Sequence, residues 1–146
     1  LADNSTAPAP VVEALSKASW EDWMRPISSV ENDPQVGQKI ERMVLLMKNF
    51  GRPFGHRLGL AMMSYVANYP YIDGDDRLNW AIADQVEMRL LPKLRGVDTE
   101  MNGTNFGELE KFVRDDLKDS VLAEAIENSV VESQLNGQFE WIGVTR

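Results

Sequence analysis

Apolar residues in this sequence fall three and four positions apart in one stretch after another, and nowhere do they alternate as in a half-buried strand. The first series is Val36, Ile40, Met43, Val44, Met47 and Phe50. It opens at Asp33-Pro34, an acid suited to N-capping followed by proline at the first helical position, and it ends at Gly51. Leu58, Ala61, Met62, Tyr65 and Val66 form the buried stripe of a second helix, "HRLGLAMMSYVANYP", stopped by Pro70. Leu78, Ala81, Ile82, Val86 and Leu90 define a third, capped by Asp76, with Pro92 near its end. After the loop "GVDTEMNGTN", a fourth follows on Phe106, Leu109, Phe112, Val113 and Leu117, and a fifth starts near Ser120. The aromatic and β-branched tail, "GQFEWIGVTR", reads as a short extended segment. The fold expected is all-α, a compact bundle of about five helices with short connections.

Residues 1–15 read as a linker or disordered segment, rich at the start in Ala, Pro and small polar residues, and 16–146 as one helical domain. Within the latter, "WEDWM" reads as a short helix with Trp20, Trp23 and Met24 on one face. The chain begins without methionine, which suggests a fragment, a processed product or an incomplete piece of a longer protein. No run approaches the roughly 18 apolar residues of a membrane span, and the start lacks the basic and apolar regions of a signal peptide. With no cysteine and one histidine, disulfides, thiolate chemistry and a zinc site are not expected. A reducing compartment is compatible with that composition, and a cytoplasmic location is expected. The net charge of −8 argues against direct nucleic-acid binding.

No phosphate-cradling G-x-x-x-x-G-K-[ST] loop, G-x-S-x-G elbow or H-E-x-x-H helix occurs, and a hydrolase built around His56 has no supporting motif. The acid pairs Asp75/Asp76 and Asp115/Asp116 read as solvated surface. The chain is therefore not expected to be an enzyme in isolation. One stretch departs from the acidic background: residues 35–72 hold Lys39, Arg42, Lys48, Arg52 and Arg57 against Glu41 alone. Those cations could form a solvated basic face, pair with the acidic remainder, or meet an anionic ligand. At their centre lies "FGRPFGHR", residues 50–57, where Gly51 and Gly55 permit unusual backbone angles and Pro53 removes freedom. Arg57 falls at the start of a helix, where free N–H groups favour phosphate and a cation is mildly unfavourable unless an anion is near. Its planar fork suits a phosphoryl oxygen; the plain structural alternative is a pairing with an acid on another helix, such as Asp84.

The order of elements resembles the C-terminal part of McrB-like AAA+ nucleotidases, the motor subunits of modification-dependent restriction systems. There an aromatic-small-x-Arg segment, here "FGHR", opens a lid helix. A segment of the form D-Q-[IV]-x-x-x-[LV]-L-P-[KR]-L-x-G follows, matched by Asp84, Gln85, Val86, Leu90, Leu91, Pro92, Lys93, Leu94 and Gly96. The resemblance spans about residues 36–117. It implies a helical lid in which Arg57 is the second-sensor arginine that reads the terminal phosphates of ATP or GTP, with Mg2+ and the catalytic core supplied by the rest of the protein. Arg52 and His56 stand beside it as supporting candidates without a motif position. The implied partners are the AAA+ core of the same polypeptide and neighbouring subunits of a ring, with the acid-free stretch facing the polyphosphate. "LPKLRG" also has an ordinary reading, in which Pro92 ends or kinks the helix while Leu91 and Leu94 pack inward.

A reading of a different class is a stand-alone helical protein–protein interaction module. Its docking surface would be formed by Trp20 and Trp23 or by Phe139 and Trp141.

Overall fold

Residues 33–69 and 77–144 are described by the structure, a computed structural model. The expected linker at 1–15, the "WEDWM" helix, the stop at Pro70 and the cap at Asp76 all lie outside these residues. The fold is all-α. The described residues form five α-helices: α1 (Pro34–Asn49), α2 (His56–Asn68), α3 (Arg77–Gln85), α4 (Gly103–Lys111) and α5 (Ser120–Ser133). No helix among them is long and apolar enough to cross a membrane.

The Asp33 carboxylate accepts the Gln35 N–H at 2.9 Å, satisfying one of the orphan donors that every helix start exposes, and Pro34 needs no partner there. The helix closes at Gly51, where φ is +74°. The Arg52 N–H donates to Met47 O and the Gly51 N–H to Lys48 O, each at 2.9 Å, a pattern that demands a left-handed residue. Gly55, by contrast, has φ −84°, which any residue adopts, so only one of the two glycines in the turn serves an unusual angle.

The third helical run changes pitch twice. α3 passes into a π turn at Val86–Leu90 and a 3-10 turn at Leu91–Leu94. The cause is Pro92, which lacks an N–H and would clash with the carbonyl four residues back in an α-helix, so the register widens and then tightens around it. α4 likewise widens into a π turn at Phe112–Asp116. Between that turn and α5, Lys118 holds a left-handed φ of 57°, and the Asp119 carboxylate accepts Leu122 N–H at 2.9 Å to cap α5.

α1 packs on α4, α2 on α3, and α4 on α5. The shared core includes Met43, Leu46, Met47, Met62, Ile82, Leu90, Leu91, Leu94, Phe106, Leu109 and Ile126. One expected core position moves: Val44 is 43% exposed, and Leu46 is buried instead. The reason is the direction of α4. Lys39, Arg42 and Leu46 form one stripe on α1 facing it, with Lys39 Nζ donating to Asp116 O at 3.0 Å and Arg42 paired to Glu108 at 2.7 Å. Val44 lies past the opposite edge of the buried stripe. Ile40 on α1, Leu58, Ala61 and Tyr65 on α2, and Leu78 on α3 are half-buried rather than buried.

The tail is extended. Gln138 forms an isolated antiparallel bridge with Asp98, and Phe139 exchanges bonds with the 96–97 turn: Gly96 N–H to Phe139 O at 2.9 Å, Phe139 N–H to Val97 O at 2.8 Å. Its ring enters the core, 4.7 Å from Phe106, which lies 4.7 Å from Phe50 on its other side. Edge-to-face and offset rings of this spacing gain about 0.5–1.5 kcal/mol beyond their burial. The aromatic chain therefore ties the end of α1, α4 and the tail together.

Candidate functional site

The cations of residues 35–72 do not form one face. Arg42 pairs with the Glu108 carboxylate on α4, so for it the pairing with the acidic remainder holds, whereas Lys39 meets only a backbone carbonyl, Asp116 O, in the π turn after α4. Arg52, like Lys39, meets backbone: its Nη1 donates to Lys93 O and Arg95 O, both at 3.1 Å. These carbonyls sit at the C-terminal end of the α3 run, where groups without an intrahelical donor and the negative end of the helix dipole favour a cation. A guanidinium here needs no carboxylate beside it. The same device recurs at Arg77, whose Nη2 donates to Tyr69 O at 2.8 Å and also reaches Val66 O and Ala67 O, capping the end of α2.

His56 and Arg57 are different. Both are exposed and, among the described residues, neither side chain makes a hydrogen bond or ion pair, a state that Lys48 shares. The alternative pairing of Arg57 with Asp84 is not made; Asp84 accepts the Tyr65 hydroxyl at 2.9 Å. Burial and that bond push the Tyr65 phenol up to about 12, so it stays a neutral donor. Arg57 is the second residue of α2, whose N-cap, Gly55, offers no side chain to the first-turn N–H groups, and no acid stands in that turn. Among the described residues, a Cβ built at Gly55 or Gly59 would meet nothing within 4 Å, so none of these residues crowds the two glycines at this end of the helix. An unpaired guanidinium beside free helix N–H groups can hold an anion through both.

The arginine turn, residues 50–57, meets the "LPKLRG" segment through Arg52, which stands two residues before "FGHR". Arg52 from the arginine turn grips the backbone of Lys93 and Arg95, and Gly96 beside them has φ +85°, a value that favours glycine. Leu91 and Leu94 are buried, which is the ordinary packing role expected for "LPKLRG". Gln85 is fully buried, and among the described residues neither its side-chain oxygen nor its nitrogen is hydrogen-bonded. Helical spacing from Leu78, Ala81 and Ile82 places position 85 on the buried stripe, but spacing carries no information on whether a polar group there finds a partner. Such orphaned groups cost on the order of 1–3 kcal/mol each.

A cavity of about 540 Å³ lies at the other end of α2, lined by Tyr69, Trp80, Asp84, Glu87, Lys118 and Asp119 among others. Thirteen residues of helix place it roughly 20 Å from Arg57. Its carboxylates oppose a phosphate, so it does not belong to the anion-competent end. Among the described residues no group of three or more His, Asp or Glu is placed to hold a metal ion. Of the aromatics that suggested a docking surface, Trp20 and Trp23 lie outside the described residues. Phe139 is buried in the core, and Trp141 packs against it.

No curated protein and no solved structure matches the chain. A family model described as a domain of unknown function (DUF8727) matches residues 13–138, the greater part of the sequence, and the chain belongs to that family.

Proposed function

We propose that this chain is the helical lid of an AAA+ nucleoside triphosphatase resembling McrB, catalytically incomplete without a nucleotide-binding core. Arg57 is its phosphate-sensing residue. The observation that carries the reading is the state of Arg57: exposed, without a partner among the described residues, at the open start of a 13-residue helix with no acid in its first turn. Keeping an unpaired cation at the positive end of a helix is mildly destabilising, and a phosphate there reverses the sign.

In this reading the core holds ATP or GTP with Mg2+, and the bound nucleotide supplies the scissile phosphoanhydride. Arg57 donates its N–H groups to terminal phosphoryl oxygens and stabilises charge developing on them. The bundle follows as a rigid body when that contact forms or breaks. Neighbouring subunits of a ring are the expected further partners, in the cytoplasm.

The test is Arg57→Ala in the polypeptide that contains both this chain and the core. Losing one such donor lowers nucleotide turnover by about 10²–10³-fold. The isolated chain should keep its melting temperature or raise it slightly, because Arg57 makes no bond among the described residues and its charge sits at the positive end of α2. Unchanged turnover would remove Arg57 from the mechanism. Sequencing the reading frame upstream of Leu1 is a second check, since the proposal requires a phosphate-binding loop and strand-end acids encoded there.

A further inference from the structure

The arginine turn is the covalent link between two packed pairs, α1 on α4 and α2 on α3. Its first residues are anchored twice. The Phe50 ring lies against Phe106 in the core, and Arg52 Nη1 spans Lys93 O and Arg95 O at the end of the α3 run. That run end is itself fastened to the tail through Gly96 N–H and Phe139 O. Pro53 follows Arg52 directly and stiffens the short path to Gly55, where α2 begins. Whatever places Arg52 therefore places the start of α2 with little slack.

We propose that Arg52 is a positioning residue. By capping the C-terminal end of the α3 run it holds the turn that presents His56 and Arg57, and it makes that turn and the "LPKLRG" segment move as one unit. The catalytic consequence rests on the lid reading above; the mechanical link does not. A guanidinium suits the task because one nitrogen can donate to two carbonyls while the charge answers the helix dipole. The Arg52 Nη1 thus serves backbone carbonyls, five residues from Arg57.

The experiment compares Arg52→Met and Arg52→Lys with the parent chain by residue-resolved amide hydrogen exchange. In Arg52→Met the amides of Gly51, residue 52, Gly96 and Val97 should exchange about tenfold faster or more, while those of Phe106–Val113 and Leu122–Ile126 hold. Arg52→Lys should restore part of the protection, since an ammonium can also serve both carbonyls from a stem one atom shorter. Exchange that rises equally everywhere, or nowhere, would overturn the link.

Nucleotide turnover of the polypeptide carrying the core then tests the consequence. Arg52→Met should lower kcat about tenfold with KM within roughly threefold, because displacing the turn misplaces Arg57 relative to the reacting phosphate. If Arg57→Ala cripples turnover and Arg52→Met does not, the positioning role is refuted while the lid reading stands. If Arg57→Ala has no effect, the lid reading is lost, and the exchange data alone decide the link.

Discussion

Glu110 on α4 is half-buried, and its carboxyl is pushed up from the ordinary 4.5 to about 7. Burial is the main cause, the Glu127 carboxylate on α5 adds to it, and Arg114 offsets part. The folded state therefore holds this proton more tightly than the unfolded chain. Below pH 4.5 both states are protonated and the group costs nothing. As pH rises through 7 the favourable difference is lost, and above 7 the penalty is constant. Glu110→Gln should accordingly raise the melting temperature more at pH 8 than at pH 4.5. Solvent screening at a half-buried site keeps the gain to about 1 kcal/mol or less. A melting-temperature difference independent of pH would show that the Glu110–Glu127 contact does not titrate as described. Neither carboxylate stood out in the sequence, because their proximity depends on the rotation of α4 against α5.

Single helices here are held by their ends as much as by their faces. Asp33 and Asp119 cap α1 and α5 with carboxylates, Gly51 closes α1, and Arg77 and Arg52 cap the ends of α2 and of the α3 run. Asp119 has little freedom to be replaced by a neighbouring group, since it follows Lys118 in a left-handed conformation and its side chain meets Leu122 N–H at 2.9 Å. Asp119→Ala should cost about 1 kcal/mol, read as a shift in urea midpoint at unchanged slope, with Asp119→Asn losing less. The Asp33-Pro34 start and the Gly51 stop were legible in the sequence, because these caps depend on neighbouring residues alone. The arginine caps were not. Arg52 meets carbonyls 41 and 43 positions away, and backbone acceptors leave no signature in sequence.

Across the whole molecule, the tail closes the bundle. Phe139 is 1% exposed and stacks on Phe106, which in turn meets Phe50. Phe139→Ala should destabilise the chain by about 3–5 kcal/mol, measured by thermal or urea unfolding, a large part of the 5–15 kcal/mol typical of a domain. A cost near zero would mean that the tail is an appendage. The aromatic composition of this tail suggested a docking surface, and the burial of Phe139 reassigns that ring to the core. By itself the sequence determined that the chain is helical, where the stripes fall, and that Arg57 opens a helix in an acid-free stretch. Periodicity, proline and capping residues act over a few positions, so they can be read along a chain. Only the tertiary structure decided that Leu46 replaces Val44 in the core, that Arg52 grips a helix end, that Asp84 serves Tyr65, and that among the described residues neither the Arg57 side chain nor the buried Gln85 amide has a partner. Each of these depends on which residues distant in sequence come within a few ångströms, and that is set by how the helices rotate and cross when they pack.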